Sequence, residues 1–283
     1  MLEAASSRQP GDAMPSFTPV VALTRGLEVL RAVNEQRQAT VRGIHLATGL
    51  DKATIVRMLE TLEHEGYVLR APDQPIYMAT GRTLLLSQGY DRHLWIGSVA
   101  EPILGAFRQK IGWPSDVALA DRDAMVVVQT SRGQGPMSFN RRPGGYRASI
   151  LLTSLGRCYL AFCPKEEREA VIARLAAEPG AATDLARQPR KLKSILDETR
   201  ERGFAVMDPL YGTSEFGGMV WAIGVPVMGG DEVFCAMNLM MLTSAVDLEE
   251  AKAKFLGPLK AAASELGEAL AAKKSAALAP AGE

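Results

Sequence analysis

The sequence predicts an α+β protein of two domains: a small helical unit closed by a hairpin, followed by a larger unit of mixed strands and helices. Three observations carry this. Between Asp51 and Gly66, the residues Ile55, Met58, Leu59 and Leu62 fall at i, i+3, i+4 and i+7, one face of a helix. Just downstream, Tyr67-Val68-Leu69-Arg70 and Ile76-Tyr77-Met78-Ala79 flank Pro72-Asp73-Gln74-Pro75, whose prolines cannot continue a helix. Much later, apolar runs over 219–228 and 232–243 surround Gly229-Gly230, a strong signal for a pair of strands.

Residues 1–16 carry Pro10, Gly11 and Pro15 without an apolar run, so they are expected to be a disordered leader rather than a signal peptide. The first domain spans 17–80. Val20, Leu23, Leu27 and Leu30 mark the expected buried face of its first helix. Val41–Thr48 reads as a short second helix with Ile44, Leu46 and Ala47 inward, and Gly49 supplies a turn. Asp51 suits the cap of the third helix, because its carboxylate accepts from free N–H groups of the first turn. Gly66 suits its C-terminal end. Helix, helix, turn, helix, hairpin is a winged helix-turn-helix.

The third helix is charged unevenly. Lys52 and Arg57 lie in its first half, and Glu60, Glu63 and Glu65 at its end, where acids oppose the helix dipole. This suits a helix whose N-terminal half approaches double-stranded DNA. Arg57 is placed to fork onto a guanine, Thr54 to reach a phosphate or base edge, and Ala53 and Val56 to touch a thymine methyl. Arg25, Arg42, Arg70 and Tyr77 complete the expected DNA-binding set. The bland alternative is a surface helix with unrelated charges.

Bulk charge adds little support. The formal net charge is zero, and residues 1–82 hold nine basic and nine acidic residues. Only the window 37–57 is basic, with Arg37, Arg42, Lys52 and Arg57 against Asp51 alone, a net of +3. Phosphate neutralisation supplies much of DNA affinity, so one such module binds weakly and a homodimer or tetramer is expected.

After the hairpin a linker helix is expected over 81–96, then a second domain over 97–273 and a flexible tail over 274–283. The second domain opens with an amphipathic helix through Val99, Ile103, Leu104 and Phe107 to Ile111, broken by Gly112-Trp113-Pro114. Val117–Ala120 and Met125–Gln129 read as strands and Pro143-Gly144-Gly145 as a loop. Residues 153–163 read as a helix with Leu155, Cys158, Tyr159 and Phe162 on one side, and helices follow at 165–177 and 188–202. A last helix from Asp247 to Lys273 carries the stripe Phe255, Leu259, Ala263, Leu266 and Leu270. At 283 residues both units have length enough for their own cores.

Certain motifs go further. Thr24-Arg25-Gly26-Leu27, then Ala47-Thr48-Gly49-Leu50-x-Lys52-x-Thr54-x-x-Arg57-x-Leu59-x-x-Leu62-x-x-x-Gly66-Tyr67, stand in the first domain. Thr153-Ser154-Leu155-Gly156-Arg157-x-x-Leu160-Ala161-Phe162, Arg202-Gly203-Phe204-Ala205 and Gly224-Val225-Pro226-Val227 stand in the second. Together they resemble the IclR family of bacterial transcription regulators over roughly residues 17–272. Gly112-Trp113-Pro114-Ser115-Asp116-Val117, Leu160-Ala161-Phe162-Cys163-Pro164 and Asn238-Leu239 look closest to the branch controlling hydroxyphenylpropionate and related aromatic-acid catabolism. The resemblance implies a GAF-like effector-binding domain and a small carboxylate effector. It implies an activator acting on promoter DNA, with RNA polymerase as a further contact, and a repressor as the alternative.

By position, the resemblance puts the effector against Thr153, Ser154, Leu155 and Gly156 at a helix start, with Ala222 and Asn238 on strands and Glu215 in the loop before them. A helix N-terminus bearing Thr and Ser suits a carboxylate. Asn238 is polar within an apolar run and reads equally as a ligand contact or as an amide bonded to nearby backbone. Arg147 suits a carboxylate or an exposed salt bridge; Met125, Met237, Met240 and Met241 suit an adaptable wall or plain core. Ser149-Ile150 and Gly217-Gly218 depart from the commoner family pattern.

Several classes are disfavoured. No apolar run reaches the 18 residues of a membrane helix, so no membrane partner is expected. All three histidines (His45, His64, His93) precede residue 94, which removes histidine acid–base chemistry and histidine-ligated metal from the second domain. No glycine-rich phosphate loop is present, and no cofactor or catalytic residue is expected. Cys158, Cys163 and Cys235 lack metal-type spacing and suit buried thiols of a reducing cytoplasm. A thiol enzyme would have to use Cys163, the least enclosed by pattern. A winged helix used only for protein contacts is a third reading.

Overall fold

The computed structural model describes residues 18–278 apart from 37, 73, 88–90, 134–144 and 182. The leader expected at 1–16 and the Pro143-Gly144 part of the expected loop lie outside the described residues. The chain divides into two compact units, residues 1–90 and 91–283.

The first unit runs α1 (Val21–Gln36), α2 (Val41–Thr48), α3 (Lys52–His64), β1 (Val68–Arg70) and β2 (Tyr77–Ala79). The two strands pair antiparallel, Leu69 opposite Met78. Thr40 caps α2, and Gly49, at φ 71°, ends it. Glu65 caps the end of α3, with Gly66 one place beyond at φ 72°. The N–H groups of Gly66 and Tyr67 return to Glu63 O and Leu62 O, both at 2.9 Å. That double bond pattern needs a left-handed residue, which glycine adopts without steric cost.

Val29, Ala32, Val33, Ile44, Ile55, Leu59, Val68 and Tyr77 form the core of this unit. Burying a side chain such as Leu59 contributes ~1.5–3 kcal/mol. Two expectations are corrected. α1 buries Val29, Ala32 and Val33, while Val20, Leu23 and Leu27 are 66%, 63% and 57% exposed. Its apolar residues occupy two faces, and the short α2 and α3 cover one of them. Leu46 is exposed because it sits two residues, about 200°, round the helix from buried Ile44; Ala47 is exposed as well.

Residues 81–87 form a 3₁₀ helix, so the segment expected as one linker helix is divided between it and the next α-helix. The second unit runs α4 (Asp91–Ile111), β3 (Asp116–Asp121), β4 (Ala124–Thr130), β5 (Arg147–Ser149), α5 (Ser154–Phe162), α6 (Lys165–Ala177) and α7 (Pro189–Arg202). It continues with β6 (Ala205–Val206), α8 (Pro209–Phe216), β7 (Val220–Gly229), β8 (Glu232–Leu242), α9 (Leu248–Ala251) and α10 (Gly257–Leu278). A π-helical turn over 252–256 joins α9 to α10, which runs past Lys273 into the expected tail.

Six strands form one antiparallel sheet in the order β5-β4-β3-β8-β7-β6. β7 and β8 pair from Val220–Leu242 to Gly229–Glu232. At the centre β3 and β8 meet only at Val117–Met237 and Ala118–Ala236. Period-two alternation sends Val117, Leu119, Met237, Leu239 and Met241 to a core under α4 and α10. It sends Ala118, Ala236 and Met240 to a core under α5, α6, α7 and α8.

α5 is enclosed on all sides rather than on one, since Ser154 through Ala161 are all buried. A Cβ on Gly156 would lie 2.0 Å from Ile150 O, and one on Gly224 of β7 would lie 2.9 Å from the Ser154 backbone. Arg157 ties the same region together, donating to Leu151 O at 3.0 Å and Val206 O at 2.9 Å and pairing with Asp208 at 2.5 Å. Gly156→Ala is expected to lower unfolding stability by at least ~2 kcal/mol in urea titrations. Gly105→Ala on α4, where a Cβ meets nothing within 4 Å, is expected to lose none. Equal midpoints for the two variants would rule out this seating of α5.

Candidate DNA-reading helix and effector cavity

Asp51 opens α3, accepting from Thr54 N at 2.9 Å and from the Thr54 hydroxyl at 2.6 Å. The Thr54 hydroxyl and N–H hold this carboxyl below its usual range. Thr54 is therefore committed to the cap, and any contact with DNA competes with Asp51. Lys52, Ala53 and Arg57 are exposed, and Val56 is half-buried. Arg25, Arg42 and Arg70 are exposed too. Tyr77 departs from the expected set: it is 7% exposed, packs in the core and bridges Ala39. Its strand has one inward side, and Tyr77 occupies it.

In the second unit a cavity lies between the start of α5, the sheet and α8. Its walls are Val127, Ala148, Leu155, Met207, Phe216, Ala222 and Met240, with Arg132, Thr153, Ser154, Tyr211 and Asn238 as polar members. Its accessible volume is about 20 Å³, room for one water. Thr153 caps α5, its hydroxyl accepting from Gly156 N at 3.1 Å and donating to Ser149 O at 2.7 Å.

Beside the cavity sits a buried ion pair that no motif announces. Asp116 is 0% and Arg132 6% exposed. Arg132 Nε donates to both Asp116 oxygens at 3.0 and 3.1 Å, and Nη2 to one of them. The Thr130 hydroxyl donates to Asp116 at 2.7 Å. Burial opposes the guanidinium's charge, but Asp116 more than offsets it, so Arg132 holds its proton more tightly than a free arginine. Asn238 Oδ1 accepts from Asp116 N at 2.7 Å. Asn238 is thus bonded to backbone across the sheet, and it also lines the cavity.

Of the expected effector set, Thr153, Ser154, Leu155, Ala222 and Asn238 come together here. Gly156 supports the helix from behind. Glu215 lies on α8 rather than in a loop and meets the site through the Tyr146 hydroxyl, which donates to it at 3.1 Å and lies 3.1 Å from the Tyr211 hydroxyl. Arg147 is elsewhere, exposed and paired with Asp121 and Asp123. Strand alternation explains this, since its neighbour Ala148 takes the inward place on β5. Met237 and Met241 face the opposite core, again by alternation. Sequence pattern does not single out Arg132, which follows the apolar run Met125–Val128 with Gln129, Thr130 and Ser131 between.

The IclR helix-turn-helix domain family matches residues 22–72, and the Bacterial transcriptional regulator IclR C-terminal family matches residues 88–268. The chain belongs to the IclR family. It is a transcription regulator with a DNA-binding helix-turn-helix domain and an effector-binding domain. The Escherichia coli HTH-type transcriptional regulator XynR is 27% identical over 261 residues, covering 89% of this chain and 98% of XynR. The structure of a transcriptional regulator from Rhodococcus sp. RHA1 is 26% identical with TM-score 0.62, covering 90% of this chain and 100% of that one. An IclR homologue from Microbacterium hydrocarbonoxydans, solved in complex with 4-hydroxybenzoate, shares the fold at 20% identity and TM-score 0.63, covering 89% and 99% of the two chains.

The described residues hold no cluster of His, Cys, Asp or Glu fit for a metal, and no helix long and apolar enough to cross a membrane. Cys158, Cys163 and Cys235 are all buried. Burial pushes the Cys163 thiol up to about 12, with Glu167 adding to the effect, and raises Cys158 further. Thiolate, the reactive form, is therefore scarce at neutral pH. Native protein is expected to resist a thiol-disulfide reagent at pH 8 and to react at all three cysteines once unfolded. Rapid native labelling of Cys163 would favour the thiol-enzyme reading.

Proposed function

We propose that this regulator activates an aromatic-acid catabolic operon in response to a small aromatic monocarboxylate. The supporting observation is the cavity: mostly apolar walls with a few convergent polar groups at a helix start, the usual composition of a small-molecule site. The likeness of the Gly112–Val117 and Leu160–Pro164 stretches to the aromatic-acid branch favours the same class. So does the fold neighbour that binds 4-hydroxybenzoate. The cavity's small volume means that a ring enters only by moving wall residues, and Phe216, Tyr211, Met207 and Met240 are large uncharged ones. Effector binding then shifts a conformational equilibrium by its preference for the open form.

On the DNA side the proposed contacts are Lys52, Ala53, Thr54, Val56 and Arg57 on α3, with Arg25, Arg42 and Arg70 around it. Assembly as a homodimer or tetramer adds contacts that one electrically balanced chain lacks. The exposed Val21, Leu23 and Leu27 on α1, with Leu85 and Leu86 after the wing, support it. RNA polymerase is the further partner of an activator.

Thermal-shift screening against hydroxybenzoates and hydroxyphenylpropionates tests the effector class. A specific acid at a hundred times its Kd is expected to stabilise the protein by ~2.7 kcal/mol; no shift with any of them sinks the aromatic-acid assignment. In gel-shift titrations with promoter DNA, Arg57→Ala is expected to cost ~1–3 kcal/mol and relax sequence preference. Unchanged binding would refute α3 as the reading helix. Deleting the gene lowers expression of the controlled operon for an activator and raises it for a repressor.

A further inference from the structure

We propose that Arg132 and Ser154 hold the effector's carboxylate, and that the site accepts monocarboxylates and rejects dicarboxylates. This rests on the effector reading above. Two polar atoms of the cavity residues are buried and have no partner among the described residues: Arg132 Nη1 and Ser154 Oγ. Their residues are only 6% and 1% exposed. A buried donor left unbonded is costly, so two beside one cavity call for a shared acceptor. A carboxylate oxygen is the strong one for a guanidinium.

Arg132 has little freedom to turn elsewhere. Its Nε and Nη2 edge is held by Asp116, which is held in turn by Thr130 and lies 3.5 Å from Asn238 Nδ2. The Phe216 ring lies 5.8 Å from the guanidinium carbon. Nη1 is the donor that remains.

Charge then sets the ligand class. The Asp116–Arg132 pair is neutral, so one incoming carboxylate leaves the site at a single negative charge, eased by the N-terminal end of α5. A second carboxylate meets no further cation among the lining residues. Beyond Tyr211 it meets Glu215 through the Tyr146 hydroxyl. Like charges in a poorly solvated site repel strongly.

Calorimetry and thermal shift with 4-hydroxybenzoate, 3-hydroxyphenylpropionate, their primary amides and isophthalate test this. Wild type is expected to bind one of the acids, its amide at least tenfold more weakly, and isophthalate not measurably. Ser154→Ala is expected to melt at or above the wild-type temperature without ligand, because an unbonded buried hydroxyl is gone, and yet to bind the acid at least tenfold more weakly. A merely structural role would not move stability and affinity in opposite directions. The paired variant Asp116→Asn with Arg132→Gln keeps shape and neutrality and is expected to lose the acid altogether. Undiminished acid binding by Ser154→Ala or by the folded paired variant, or an amide as tight as its acid, overturns the anchor and leaves the effector reading standing. Isophthalate binding as tight as the acid overturns the charge rule. Wild type indifferent to both acids overturns the effector reading and the anchor with it.

Discussion

A sheet covered by helices on both faces gives its strands no solvated side. Every residue of β8 from Val233 to Met241 is buried, and neighbouring residues serve different cores. Such a sheet tolerates a polar side chain only where another polar group meets it. The α5 side of the β3–β8 junction is such a place. Asp116, Arg132, Thr130 and Asn238 bond to one another there across three strands and the loop after β4, with only Arg132 Nη1 left over from the set among the described residues. Buried pairs of this kind add little net stability, but removing one partner costs ~3–5 kcal/mol, so the members are held as a set. The cavity grows out of that set, with its remaining walls supplied by the glycine-seated start of α5 and by α8.

Much of this was legible in the sequence where local chemistry decides. Asp51, Gly66 and the Ile55–Leu62 spacing define α3 by capping and periodicity alone, and Gly229-Gly230 marks the β7–β8 hairpin. The start of α5 was legible through its resemblance to relatives. What periodicity could not decide was which of two apolar faces finds a partner. α1 carries two such faces, and packing by α2 and α3 chose the one with Val29 and Val33. Tyr77 and Arg147 were misplaced for a related reason: in a three-residue strand the pattern is too short to show which side is inward. Arg132 lay beyond reach because its partner Asp116 is distant in sequence, and a lone arginine after a strand looks like any other.

The first unit balances its charge overall and separates it locally. Lys52 and Arg57 precede the acids of α3, and the carboxylate of Asp51 is occupied by Thr54 at the cap. Lys52 and Arg57 therefore stand in the N-terminal half of the helix, with the acid beside Lys52 engaged. A chain of zero net charge presents a local basic face by arrangement rather than by excess.

The narrow meeting of β3 with β8 has a mechanical consequence. Two antiparallel ribbons, one of β3, β4 and β5 and one of β6, β7 and β8, are stitched along a seam of only two residue pairs, Val117–Met237 and Ala118–Ala236. The Asn238–Asp116 bond and the Met240 N to Pro114 O bond at 2.8 Å extend that stitching. Val127 and Ala148 belong to one ribbon and Ala222, Asn238 and Met240 to the other, and all line one cavity. A molecule lodged there straddles the seam like a rivet. On the effector reading proposed above, it would bear on the angle between the ribbons across a seam that only two residue pairs define.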